Sequence, residues 1–314
     1  MNRRRIINIL LICLLLTAVF SNGCGSDSDN DKGTVSETSK KTTGTRSNIP
    51  HVLTPEASGT VTYGNELVSI DASNTEEGYV VIRYLGNVPK VKLLIEYPDG
   101  TKYWYRLHNK DEVFPLTSGD GIYTLTVYEN VVDDQYSTTF NQALPVKITN
   151  EFGPFLYPNQ YVDFNASSTV VALGSELAKT ADSDLDVVTN IYNYVIGNIT
   201  YDTDKAESVQ SGYVPAVDDV LNAGTGICFD YASVMASMLR SQRIPTQLEV
   251  GYAGTVYHAW ISVHIDDIGW VNGIIQFDGS TWQLMDPTFA ASNSEKELKK
   301  FIGDGSNYET KFVY

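Results

Sequence analysis

The sequence predicts an α+β protein in which an all-β, immunoglobulin-like sandwich precedes a mixed domain organised around one helix. Three observations carry that reading. Between about residues 52 and 149, short runs rich in β-branched and aromatic residues are broken by turn signals at sandwich-like intervals. Between residues 182 and 241 the apolar spacing becomes that of a helix. Strand-like runs return at 248–252 and 259–265.

The first stretch reads as an export signal. Arg3, Arg4 and Arg5 precede an apolar run from Ile6 to Phe20, and small or polar residues lead to Cys24, so residues 1–23 are expected to be removed. Ser21-Asn22-Gly23-Cys24 resembles a bacterial lipoprotein processing site, with Ser21 where an aliphatic residue is usual. On that resemblance Cys24 would be lipidated and hold the chain on the outer face of a cytoplasmic membrane. An ordinary secretory signal is the alternative. Residues 24–50 are Ser, Thr, Asp, Lys and Gly with almost nothing apolar, and are expected to form a disordered tether.

A chain of 314 residues, 42% apolar and 19% charged, has room for two domains with their own cores. Its net charge is −16, and residues 1–23 hold no acid, so the body beyond them is more acidic still. Such a body repels nucleic acid and anionic lipid surfaces, which leaves a lipid anchor as the expected membrane contact.

The β domain is expected over residues 51–150. Val80 to Tyr84 and Val91 to Tyr97 read as strands, and Pro98-Asp99-Gly100 turns the chain into a third, Lys102 to Leu107. Gly121 to Tyr128 alternates as a half-buried strand does. The chain has 20 tyrosines, and those of this region read as filler on strand surfaces. The sequence names no partner for this domain.

A linker over 151–164 leads to the second domain, residues 165–314. Asp182 or Ser183 can cap a helix whose apolar face is Val187, Val188, Ile191, Tyr192, Val195 and Ile196. A short helix around Val217 to Leu221 precedes Gly224-Thr225-Gly226, and a further helix then runs from Cys228 to about Ser241. Free backbone N–H groups and the positive end of the helix dipole gather in a first turn, where they stabilise negative charge. Of the three cysteines, Cys13 would leave with the signal and Cys24 would carry lipid, so Cys228 is the one thiol expected in the folded body. A lone thiol in an exported protein calls for a chemical explanation.

A thiol nucleophile needs a base, and the base a group to orient it. His258 and His264 lie six residues apart. On one strand they would be about 20 Å apart, so at most one can meet Cys228. His258 sits where a strand begins, and His264 reads as a surface imidazole. Asp286 ends a strand-like run before Pro287 and can supply the carboxylate.

Six blocks in order resemble those of the transglutaminase-like superfamily: Ile199 to Asp202, Gly226 to Ala232, Leu239 to Pro245, Gly251-Tyr252, His258 to Trp260 and Asp286 to Thr288. The resemblance spans roughly residues 165 to 290 and implies a papain-like core, with Cys on a helix start and His and Asp on neighbouring strands. It implies Cys228 as nucleophile, His258 as base and acid, and Asp286 as the orienting group. Tyr201 and Trp260 are candidate cleft residues. Arg243 stands where the pattern has Gly, and an extended hairpin is expected between Asp266 and Gly279. The implied activity is thiol-dependent acyl transfer on protein or peptide amides. A cysteine peptidase or amidase acting on extracellular or wall peptides, or a surface module with a vestigial site, are the alternatives. No cofactor or metal is expected.

Overall fold

Burial alternates along Lys102–Leu107: Tyr103, Tyr105 and Leu107 are buried, and Lys102, Trp104 and Arg106 are exposed. The structure, a computed structural model, describes residues 43–266, 268–271, 275–277, 282–284 and 308–314. Its strand-rich region contains β1 (Thr62–Gly64), β2 (Val68–Asp71), β3 (Tyr79–Tyr84), β4 (Val91–Glu96), β5 (Lys102–Leu107), β6 (Glu112–Pro115), β7 (Gly121–Val132) and β8 (Gln135–Val146). They form two antiparallel sheets, ordered β1-β2-β3-β6 and β5-β4-β7-β8. Near the start of β7 the Tyr123 hydroxyl donates to the Gly119 carbonyl at 2.9 Å and accepts from the Ser118 amide at 3.1 Å.

Six of the tyrosines here are core residues and not surface filler, whereas Tyr63, Tyr128 and Tyr136 are half-buried. Tyr79, Tyr84, Tyr97, Tyr103, Tyr105 and Tyr123 are all buried. Tyr97 stacks on Tyr103 at 4.0 Å and donates to the Pro115 carbonyl at 2.6 Å. Rings of this size fill a core between sheets, and a buried hydroxyl can be satisfied by a carbonyl. Burial raises the pKa of Tyr97 and Tyr105 well above the usual phenol value, and neighbouring tyrosines add to it. The neutral form therefore belongs to the folded state. This stability is complete below the unfolded pKa of about 10 and is lost as pH rises toward the folded one. Phenolate absorbance is expected to appear in two phases, the second coinciding with loss of near-ultraviolet dichroism. A single phase near pH 10 with the fold intact would contradict buried tyrosines.

The second region contains α1 (Thr169–Ala178), α2 (Asp184–Asn198), β9 (Thr200–Tyr201), α3 (Thr203–Ser208), α4 (Val217–Ala223), β10 (Thr225–Gly226), α5 (Cys228–Ser241), β11 (Thr246–Ala253), β12 (Val256–Ile265), β13 (Gly269–Val271), β14 (Ile275–Phe277), β15 (Trp282–Leu284) and β16 (Tyr308–Val313). Ser183 caps α2, accepting from the Asp186 amide at 3.2 Å while Asp186 accepts from the Ser183 amide at 3.0 Å. One antiparallel sheet runs β13-β12-β11-β16. The hairpin expected over 266–279 divides: β13 pairs with β12, and β14 pairs with β15. Among the described residues no helix is long and apolar enough to cross a membrane.

Helix α5 is buried from Asp230 to Ser241, as befits a helix packed on several sides. Arg240, 1% exposed, ties it to its surroundings. Its guanidinium donates to the carbonyl oxygens of Thr246 at 2.7 and 3.0 Å, Tyr157 at 2.7 Å and Tyr314 at 2.8 Å. Burial lowers its pKa to about 9, so it stays charged at neutral pH. Arg243, in the glycine position, has φ +66°, a left-handed conformation costing a side-chain-bearing residue about 1–2 kcal/mol. It also donates to the Ile49 carbonyl at 3.0 Å and the Ser47 carbonyl at 3.2 Å.

Those bonds correct one boundary. Residues 43–50, expected within the tether, are held against the helices. Arg46 pairs with Asp184 and donates to the Gln242 carbonyl at 2.6 Å, and Asn48 donates to the Ser175 carbonyl at 3.0 Å. The polar side chains that suggest a solvated tether here serve as clasps. The linker expected over 151–164 is likewise a packed joint. Pro154, Phe155 and Tyr161 are buried, and Gln160 donates to the Arg106 carbonyl at 2.7 Å.

Candidate active site

Cys228 owes its place to three short features. Gly224, at φ +64°, ends α4 in the left-handed conformation that suits glycine. The next residues, β10, pair in parallel with β9, setting Gly226 beside Tyr201. A side chain on Gly226 would bring its Cβ within 2.8 Å of Asp230 Cβ, so only glycine lets the first turn of α5 approach this closely. Cys228 follows as the first residue of α5, half-buried and unpaired with another sulfur.

Asp230, two residues on, is fully buried and holds that turn. Its carboxylate accepts from the Ile227 amide at 2.9 Å, the Lys205 ammonium at 2.6 Å and the Tyr213 hydroxyl at 2.5 Å. Lys205 also donates to the Tyr213 hydroxyl at 2.7 Å. Burial pulls the Lys205 ammonium down, and the hydrogen bonds to Asp230 and Tyr213 outweigh it, so its pKa lies above the usual lysine value. Burial first, then the bond to Asp230, pushes Tyr213 up to about 12. Sequence reasoning missed this clamp, because nothing marks Lys205 as the partner of an aspartate 25 residues away.

His258 lies on β12 opposite Gly251 of β11 and is 5% exposed. It and Cys228 line one cleft of about 550 Å³. Tyr201 lines the same cleft, as do Tyr213, Tyr257 and Trp104. Among the described lining residues there is no Asp, Glu, Lys or Arg. Tyr257 ionises above the usual phenol value, through desolvation first and then through the charges of Tyr252 and Cys228. A neutral phenol beside the sulfur can donate a hydrogen bond there.

The other candidates fall elsewhere. Trp260 does not line this cleft: 2% exposed, it packs edge-on against Tyr308 at 4.9 Å, filling core as tryptophans on buried strands do. His264 shares β12 with His258 but sits among rings, 4.5 Å from Phe152 and 5.5 Å from Trp270. Asp286 and Cys24 lie outside the described residues.

Residues 171–273 match the family model described as the Transglutaminase-like superfamily, a span containing Cys228 and His258. Residues 171–273 are a transglutaminase-like domain. A curated relative, the UPF0252 protein MJ1282 of Methanocaldococcus jannaschii, is 30% identical over 92 residues, and the match spans about a quarter of its length, 26%. Among solved structures, a candidate cysteine protease from Cytophaga hutchinsonii is similar over 73% of this chain and 69% of its own, at 16% identity and TM-score 0.33. A red sea bream transglutaminase is similar over 67% of this chain and 48% of its own, at 14% identity and TM-score 0.23. The transglutaminase-like domain thus holds the thiol, the imidazole and the Asp230 clamp, and the strand-rich region lies outside the family match.

Proposed function

We propose that the chain is a thiol-dependent acyltransferase acting on protein or peptide amides. One observation carries this reading: Cys228, opening a buried helix, and His258, on a neighbouring strand, line a single uncharged aromatic cleft. The Cys228 sulfur adds to an amide carbonyl after its proton passes to His258. Free N–H groups of the first helical turn, that of Cys228 among them, receive the oxyanion. The carbon–nitrogen bond then breaks, His258 returns the proton to the leaving nitrogen, and a thioester remains on Cys228. An incoming amine takes the acyl group and gives a new amide. Water in its place gives the acid. Asp286 is proposed to orient the imidazole.

The apolar run after Arg3–Arg5, with Gly23-Cys24, supports export and a lipid anchor at Cys24. The strand-rich region is proposed to be an immunoglobulin-like sandwich. Supporting this are its two sheet orders and the Tyr123 hydroxyl bonded to upstream backbone, as in a tyrosine corner.

Incubation with a labelled primary amine and a glutamine-bearing protein separates the outcomes. Label joined to protein is the expected result. Ammonia released without incorporation would move the reading to hydrolysis, and neither would end it.

A further inference from the structure

The outer face of the sheet β5-β4-β7-β8 carries a charge arrangement unfavourable to the sheet itself. Lys92 on β4 stands directly opposite Arg106 on β5, where like charges repel. Among the described residues neither meets a carboxylate. The Lys92 ammonium lies 4.1 Å over the Tyr136 ring, and Arg106 donates to the Pro89 carbonyl at 3.4 Å. Lys90 joins them in a groove of about 770 Å³, where Asp134 is the one acidic side chain among the described lining residues. Three cations gathered in a chain of net charge −16 are a local exception that an anion would relieve.

This groove continues into the cleft of Cys228. Trp104, Tyr161 and the segment Gln210-Ser211-Gly212 line both. Trp104, though aromatic, is 51% exposed at the junction, where its ring offers a surface for a chain lying across it. One end of the combined groove is uncharged and holds the thiol, and the other is basic and aromatic.

We propose that the basic groove binds an acidic stretch of a peptide substrate whose neutral side-chain amide enters the Cys228 cleft. The proposal rests on the acyl-transfer reading and extends it to substrate choice. A peptide supplies both the uncharged carboxamide and the flanking carboxylates, and its backbone can span the junction at Trp104. The strand-rich region is then part of the substrate site.

The test measures binding to the Cys228→Ala chain, which removes turnover. A glutamine peptide flanked by glutamates is expected to bind roughly three- to tenfold more tightly than one flanked by alanines, the range of one or two surface ion pairs. Added salt should erode the difference. Lys92→Glu, placed opposite Arg106, forms a cross-strand ion pair that keeps the sheet, and it should abolish the preference. Arg106→Gln should reduce it. Equal binding of the two peptides would overturn the proposal. So would a preference that survives Lys92→Glu, or tighter binding of an anionic oligosaccharide. Amine transfer by the unmodified chain is assayed separately, and its absence beside an intact charge preference would overturn the acyl-transfer reading alone.

Discussion

Cys228→Ala is expected to abolish amine incorporation, with a loss in kcat/KM of at least about a thousandfold, as for removal of other covalent nucleophiles. The residue is half-buried at the start of α5, so the exchange removes one sulfur and leaves the Asp230 clamp in place. The melting temperature should therefore change little, separating lost chemistry from lost fold. His258→Gln should cost a similar factor, because the imidazole both takes and returns the proton. Iodoacetamide should modify Cys228 of the unmodified chain faster than glutathione at pH 7, and His258→Gln should slow that reaction. Unchanged incorporation by Cys228→Ala would move the chemistry away from this cleft altogether.

Lys205→Met should show the largest effect on stability. Asp230 is fully buried, and its carboxylate loses its only cation among the described residues. Breaking a buried pair by removing one partner costs about 3–5 kcal/mol, and here the lower end applies because the lysine is partly exposed and Tyr213 and the Ile227 amide remain. Chemical denaturation should record that loss. Adding Asp230→Asn should recover part of it, since the uncompensated charge goes too. Activity should fall with stability, because Tyr213 and the segment before it line the cleft. The sign with pH follows from Lys205, whose pKa is raised on folding. Its contribution is complete below the unfolded value of about 10.4 and is lost as pH rises through the folded one. The clamp is thus intact at neutral pH. A variant as stable as the parent would show that the ion pair contributes nothing.

The sequence made local features legible because local spacing fixes them. The helix from Cys228 to Ser241, a cap at Asp182 or Ser183 and strands at 248–252 and 259–265 follow from periodicity and capping chemistry; the cap is Ser183, and the observed strands, Thr246–Ala253 and Val256–Ile265, start earlier. Strand geometry allows only one of His258 and His264 to meet Cys228; the place of His258 at a strand start and the family resemblance favour it, and the cleft holds His258. What escaped depends on distant pairings. Trp260 and Tyr201 look alike as aromatics in strand-like runs, and only packing sends one against Tyr308 and the other into the cleft. Arg46 and Asn48 sit in a polar stretch indistinguishable from tether until Asp184 and Ser175 are found beside them. The Tyr103 ring reads as strand decoration until Phe312, 5.1 Å away, covers it.

Strand β16 has a consequence for synthesis. It lies along β11, which is made some 60 residues earlier, while the Val313 amide reaches the Tyr103 hydroxyl at 3.1 Å and Phe312 and Tyr314 wall the thiol's cleft. A nascent polypeptide stopped short of residue 308 has its nucleophile and its imidazole but an open-sided pocket and an unfinished sheet. The sulfur therefore gains its enclosure only once that late-made segment has docked along β11.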